Sequence, residues 1–375
     1  MSWLLPVTGS VIAQAFADDV VPPSYESITK AQRLAMMEAH PRTFFHATST
    51  PNDYPGTTSD GVLAAARSYI LEQEQDGAYV GYDGAMFVYR ISDNGRTIQG
   101  VVGDVRVGLM GERVLRHEKT RVKREEEILR YLEAVGFEYL PVSLTYRSTP
   151  EIARAVAEAT AQEPIVDLTL SDGSHHFVWP VVGEAAHQLS ALFDEVGRSY
   201  ITDGHHRTAA AERHSGVDGG AFLAVAFPDD DVHVFPYHRW INAGLPADHG
   251  LTLTPTEELS PPAGYATVLT SQGSWLLYLD PRAGEDDTLA LARVVLRDVL
   301  EVTDSRTDPR LKFVPGSEGV GPVEDLVARK GGTGLILHGT TIEGIMKVAD
   351  EGGVMPPKST WFEPKPRSGI FLVPR

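Results

Sequence analysis

Residues 201–214 read ITDGHHRTAAAERH. An apolar approach (RSYIT, 198–202), an Asp-Gly pair and an alanine-rich run predict a strand that turns sharply into a helix. Such a junction suits an anion, because the first N–H groups of a helix lack internal partners and the helix dipole is positive there. Gly204 permits the turn and lets a ligand approach closely. His205, His206 and Arg207 can add side-chain donors, with the Arg fork matching phosphate oxygens. Thr208 follows and completes the expected phosphate cradle. Asp203 repels phosphate, so its place makes sense if it holds Mg²⁺ or orients a substrate hydroxyl. Two blander readings fit the same residues: Asp203 as a helix cap, and the histidines as partly buried hydrogen-bonding groups. A histidine zinc site is disfavoured, because adjacent helical side chains point about 100° apart and zinc pairs prefer i, i+4 spacing.

The rest of the chain narrows the setting. It has 375 residues, 42% of them hydrophobic, which is enough for two or three domains. The formal charge is −18, from 51 acidic and 33 basic residues. That balance argues against wrapping a nucleic-acid backbone. With no cysteine, disulfides, thiolate metal sites and Cys nucleophiles are excluded. The start, MSWLLPVTGSVIAQAFADD, ends on a cleavage-like AFAD. No Lys or Arg precedes its apolar run, however, and Pro6 and Gly9 interrupt it, so it is expected to belong to the fold. No stretch is apolar enough to span a bilayer. A cytoplasmic protein without a membrane or nucleic-acid partner is expected.

Helices and strands alternate loosely along the chain, which predicts an α/β or α+β fold. Helices are expected over 27–37, 57–74, 124–134 (stopped by Gly136), from Pro150, over 185–196, 208–213, 289–300 and 341–353. Strands are expected over 85–92 and 97–107, joined by a DNGR turn. Others are expected at 140–147, 165–172, 175–182, 198–204, 220–230, 232–241, 275–280 and 332–339. SDGSHH (171–176) reads as a hairpin turn with surface histidines. Three regions follow: 1–110, 111–244 and 245–375.

Two further constellations carry chemistry. In RHEKTR (116–121), Glu118 could be a general base, positioned or charge-tuned by His117; an exposed, charged helix entry has the same look. The run Lys123–Glu127 reads as a solvated face. VMPPKSTWFEPKPRSG (354–369) gathers Lys358, Ser359, Thr360, Lys365 and Arg367 among prolines that forbid a regular helix. It either closes over a ligand or fastens the C-terminus to the body, and Lys358 or Arg367 is expected at the substrate.

Taken together and in this order, these stretches resemble a widespread bacterial and archaeal family of unknown function. That family is related to the free serine kinases and to the ParB/sulfiredoxin-like fold. DVVPPSYESIT (19–29) is similar to its opening, although Ser24 separates the prolines from Tyr25. YRISDNGRTIQGVVGDV (89–105), RHEKTR and ITDGHHRTAAA follow, then LRDVLEVTDSRTDPRLKFVPG (296–316) and VMPPKSTWFEPKPRSG. The resemblance implies a nucleotide-binding core over 111–244 with α/β extensions on both sides. It implies that Gly204, His205, His206, Arg207 and Thr208 bind the phosphates of ATP or ADP. It assigns Glu118 as the base, with His117 and Asp203 beside it and Asp203 at Mg²⁺. The implied reaction is phosphoryl transfer to free L-serine or a similar metabolite. A nucleotide-binding regulator without turnover is the alternative, and a phosphodiesterase is disfavoured by the net charge.

Overall fold

The computed structural model describes residues 2–25, 27–54, 56–215, 219–282, 285–305, 307–356 and 358–375. Glu26, Arg306 and Pro357 of the motifs quoted above lie outside the described residues. The chain is a mixed α/β protein of two compact units, residues 1–232 with 364–375, and residues 233–363. The expected boundaries at 110 and 244 are not where it divides. A cut at 110 would separate Arg96–Arg106 from its antiparallel partner Ala221–Pro228. A cut at 244 would separate Tyr237–Ile241 from Thr333–Leu337. Sheet pairing, which joins residues remote in sequence, decides both boundaries.

The first unit is built on a twelve-stranded sheet. Its middle is the long pair Tyr79–Asp93 and Arg96–Arg106, joined at Asn94-Gly95. Both turn residues have positive φ, as a tight hairpin requires. Alternate residues of the first strand serve two cores, as a period of two dictates. Phe87, Tyr89 and Ile91 join one apolar cluster, and Met86 and Val88 join the other. The N-terminal stretch forms strands Leu4–Leu5 and Val7–Ile12 within this sheet. At one edge the order runs Val114–Leu115, Ser199–Asp203, Val142–Tyr146, Ala221–Pro228. At the other lie Phe371–Pro374 and Phe137–Glu138.

The second unit carries a six-stranded sheet in which all strand pairs are antiparallel. Helices Gly321–Lys330 and Ile342–Asp350 belong to it. The helix expected over 289–300 begins earlier, as Asp287–Leu291, and continues as π-helix over Ala292–Arg297. Its bonds lengthen to five residues, as from Leu300 N–H to the Val295 carbonyl. The first expected helix starts at Lys30 because Thr29 and Gln32 form a reciprocal cap. Among the described residues no helix is long and apolar enough to cross a membrane.

Candidate functional site: an anion-ready turn beside a carboxylate

Strand Ser199–Asp203 runs directly into helix His205–Ser215. The strand is antiparallel to Val142–Tyr146, and its register slips between Ile201 and Asp203. That bulge places Asp203 opposite Ser143, while Ile201 lies opposite Leu144. Bulges beside functional sites commonly re-aim a side chain in this way. Gly204 makes the corner with φ +102°, a conformation glycine adopts without penalty. Its carbonyl accepts from the N–H groups of Arg207 and Thr208, closing the first helical turn.

Arg207 folds back over this corner. Its Nη2 donates to Asp203 Oδ2 at 2.7 Å, and its Nη1 donates to the Leu140 carbonyl at 3.2 Å. Asp203 is therefore paired with the guanidinium rather than a lone carboxylate. Among the described residues no group of three or more His, Asp or Glu side chains converges as a metal site.

The histidines divide. His205 is 5% exposed, and its imidazole is pushed well below its usual pKa by burial, then by His117, Arg116, His206 and Arg207. Its ring meets that of His117 edge-on, with centroids 4.6 Å apart. His117 is buried too, and burial holds it at about 4 despite a hydrogen bond at the Ile201 backbone. Two neutral rings thus form the floor of the turn, and His117 supplies no charge to tune Glu118. His206 is half-buried and accepts the Arg121 N–H at Nε2, 3.1 Å away. Thr208, expected in the phosphate cradle, is fully buried and donates to the His205 carbonyl within its own helix.

Glu118 comes to this corner because Val114–Leu115 pairs in parallel with Ser199–Tyr200. The two segments then leave the sheet side by side. Glu118 Oε2 lies 4.0 Å from His205 Nδ1, with its side chain 43% exposed. Arg116, two residues earlier, is paired with Glu212 of the helix. The structure therefore brings His117, Glu118, Asp203, Gly204, His205, His206 and Arg207 together.

The same arrangement adds Arg121, the last residue of RHEKTR, and Arg124, which the sequence reading set aside as solvated. Arg121 and Arg124 lie close enough to His206 to lower its pKa, second to burial. Helix Val122–Val135 packs along His205–Ser215 and brings them there. Arg116, Arg124 and Arg207 are each paired with a carboxylate, Glu212, Glu127 and Asp203 respectively. The signal was the RVKR run at 121–124, whose basic residues precede the acidic ones.

The two expected substrate residues belong to different units. Lys358 belongs to the second unit, where its Nζ donates to the Tyr237 hydroxyl at 2.9 Å. Arg367 belongs to the first unit, is 5% exposed, and donates to Asp172 and Ser174. The reading of SDGSHH as a surface turn is also corrected. The turn is present, with Gly173 at φ +85°, but His176 is fully buried between the Tyr89 hydroxyl and Ser174 Oγ. The second unit has its own recess of about 270 Å³, lined by Asp286, Asp287, His338, Thr340 and Ser359; its acidic lining does not suit an anion.

The unit that carries the site is mixed α/β, with a strand-to-helix corner and a carboxylate beside it. The chain belongs to the family described as Protein of unknown function (DUF1015), which matches residues 4–282. No curated protein matches the sequence. Among solved structures, a free serine kinase in complex with AMP is 15% identical, covering 71% of this chain and 90% of that one, with a TM-score of 0.41. A conserved hypothetical protein from Pyrococcus furiosus is 14% identical, covering 72% and 95%, with a TM-score of 0.39. SbnI with C-terminal truncation from Staphylococcus aureus is 15% identical, covering 73% and 87%, also at 0.39.

Proposed function

We propose that the protein is a small-molecule kinase. It transfers a phosphoryl group from ATP or ADP to the hydroxyl of free L-serine or a similar small hydroxy metabolite. The observation that carries this reading is the Glu118 carboxylate standing 4.0 Å from His205 at the head of a helix whose corner is covered by Arg207. The motif resemblance described above supports it independently.

Phosphoryl transfer needs positioning and charge neutralisation more than covalent help from the protein. The N-terminal N–H groups of helix His205–Ser215 and the Arg207 guanidinium hold the terminal phosphates. The acceptor hydroxyl lies against Glu118, which takes its proton as the new O–P bond forms. The bond to the departing nucleotide breaks on the opposite side. The buried neutral pair His117 and His205 gives Glu118 a dry wall without competing for that proton.

Incubation with ATP or ADP, Mg²⁺ and L-serine is expected to yield O-phosphoserine. Glu118→Ala should lower the rate by about 10² to 10⁴, the usual loss for a general base, with nucleotide affinity retained. Absence of product across a panel of hydroxylated metabolites, with Glu118→Ala equal to wild type, would overturn the kinase. The second reading, a nucleotide-binding regulator without turnover, is favoured by the commitment of Asp203 to Arg207. It requires nucleotide binding that depends on Arg207 and is indifferent to Glu118.

A further inference from the structure

Arg367 is a buried guanidinium whose partners form one directed network. Its backbone N–H donates to the Tyr89 hydroxyl at 3.3 Å. Tyr89 is 2.8 Å from His176 Nδ1, and His176 Nε2 is 2.9 Å from Ser174 Oγ. Ser174 in turn donates to Asp172 Oδ1 at 2.6 Å. Arg367 Nη2 closes the ring on Asp172 Oδ2 at 3.0 Å and Ser174 Oγ at 3.2 Å. Arg367 Nη1 donates to the Lys365 carbonyl at 2.8 Å, and its Nε is left without a partner; one proton assignment serves the rest. Tyr89 donates to Nδ1, the neutral imidazole donates from Nε2 to Ser174, and Ser174 donates to the carboxylate. Tyr89, Ser174 and His176 are fully buried. Bonds at Tyr89, His176, Ser174 and Asp172 that share one consistent proton order hold these side chains in one arrangement.

What it fixes lies downstream. Two residues on, Gly369 has φ +83°, and a Cβ there would stand 2.7 Å from the Phe44 ring. Its carbonyl accepts from the Tyr79 hydroxyl at 2.8 Å. Its N–H donates to the Tyr139 carbonyl at 3.1 Å. Strand Phe371–Pro374 then pairs with Phe137–Glu138, and the Arg375 N–H donates to the Gly136 carbonyl at 2.9 Å. Residues 136–139 are therefore zipped, one after another, to the C-terminal strand. The next carbonyl, of Leu140, receives Arg207 Nη1.

We infer that residues 367–375 are a positioning strap for Arg207: the Arg367 network locks the strap, and the strap holds the Leu140 carbonyl that aims the guanidinium. The inference rests on reading the turn as a phosphate site, and it makes Arg367 a positioning residue rather than a substrate contact. The chain enters the strap directly from the second unit, at residue 363.

The test uses the full chain in two measurements. Hydrogen exchange of the ligand-free protein reads the amides of 139–140 and 203–208. ADP titration reads the turn as a binding site. Arg367→Gln is expected to speed exchange in both segments and to weaken ADP at least tenfold, and Arg367→Lys to recover part of each. Asp53→Asn, which breaks the buried Arg33–Asp53 pair elsewhere in this unit, is expected to lower the melting temperature while leaving both segments and ADP affinity at wild-type values. If Arg367→Gln does not fold, Ser174→Ala, which removes one hydroxyl, is read in its place. Wild-type exchange at 203–208 in the variant, or equal loosening by Asp53→Asn, overturns the strap. Failure of the wild type to bind ADP overturns the proposed kinase alone, since the exchange measurement needs no nucleotide.

Discussion

A Cβ at position 204 would stand 2.8 Å from Arg207 Nη2 and 2.9 Å from its Nε, on a backbone with φ +102°. Gly204→Ala therefore combines backbone strain with displacement of the guanidinium. It is expected to cost about 1–3 kcal/mol of stability, read as a shift in the urea midpoint, and to weaken ADP binding. Arg207→Ala should weaken ADP by about 1.5–3 kcal/mol, the worth of a charged hydrogen bond, measured by calorimetry. The need for glycine here was legible in the sequence, because a strand entering a helix through Asp-Gly constrains one residue's backbone. The fates of Thr208 and His205 were not. Both carry polar groups that a sequence reading points at a ligand, and both are buried by neighbours from the 116–121 loop and the sheet.

At the scale of elements, the corner works because two segments leave the sheet together. The parallel pairing of Val114–Leu115 with Ser199–Tyr200 delivers Glu118. The Arg116–Glu212 pair and the Arg121 N–H to His206 bond then tie its loop to the helix. Glu212→Gln is expected to slacken that loop and lower kcat several-fold while leaving nucleotide affinity near wild type. Steady-state kinetics that moved KM instead would contradict this division. Most strands and helices were legible from periodicity and from Gly or Pro punctuation, as with Gly136, which ends Val122–Val135 in the left-handed region. The π-helix at Ala292–Arg297 was not, because its apolar spacing reads as an ordinary amphipathic helix.

Across the whole molecule, several imidazoles are buried in the neutral state. His117 is held at about 4 and His238 at about 4, both chiefly by burial, and His176 at about 3, by burial and then by Arg367. These folded values lie below the unfolded value of 6.5, so the unfolded chain takes up protons first as pH falls. Stability is complete above pH 6.5 and drains towards pH 4 and 3. A shift as large as that of His117 amounts to about 3 kcal/mol at the bottom of its window. Urea midpoints should therefore fall steeply between pH 6.5 and 4. His176→Gln should start less stable at pH 7 but show a shallower slope; an unchanged slope would exclude His176 as a source.

The sequence by itself determined the alternation of helices and strands, the glycine corner, and the arginine, histidine and carboxylate side chains gathered in its motifs. Each of these follows from a few neighbouring residues whose backbone preferences and chemistry act locally. Only the tertiary structure decided where the chain divides, that Arg367 is a buried member of a hydrogen-bonded network, and that the second histidine of SDGSHH is a core residue. Burial and partnership depend on which remote strands lie side by side. The zipping of 369–375 onto 136–139 joins residues more than two hundred positions apart, and no local pattern encodes such a pairing.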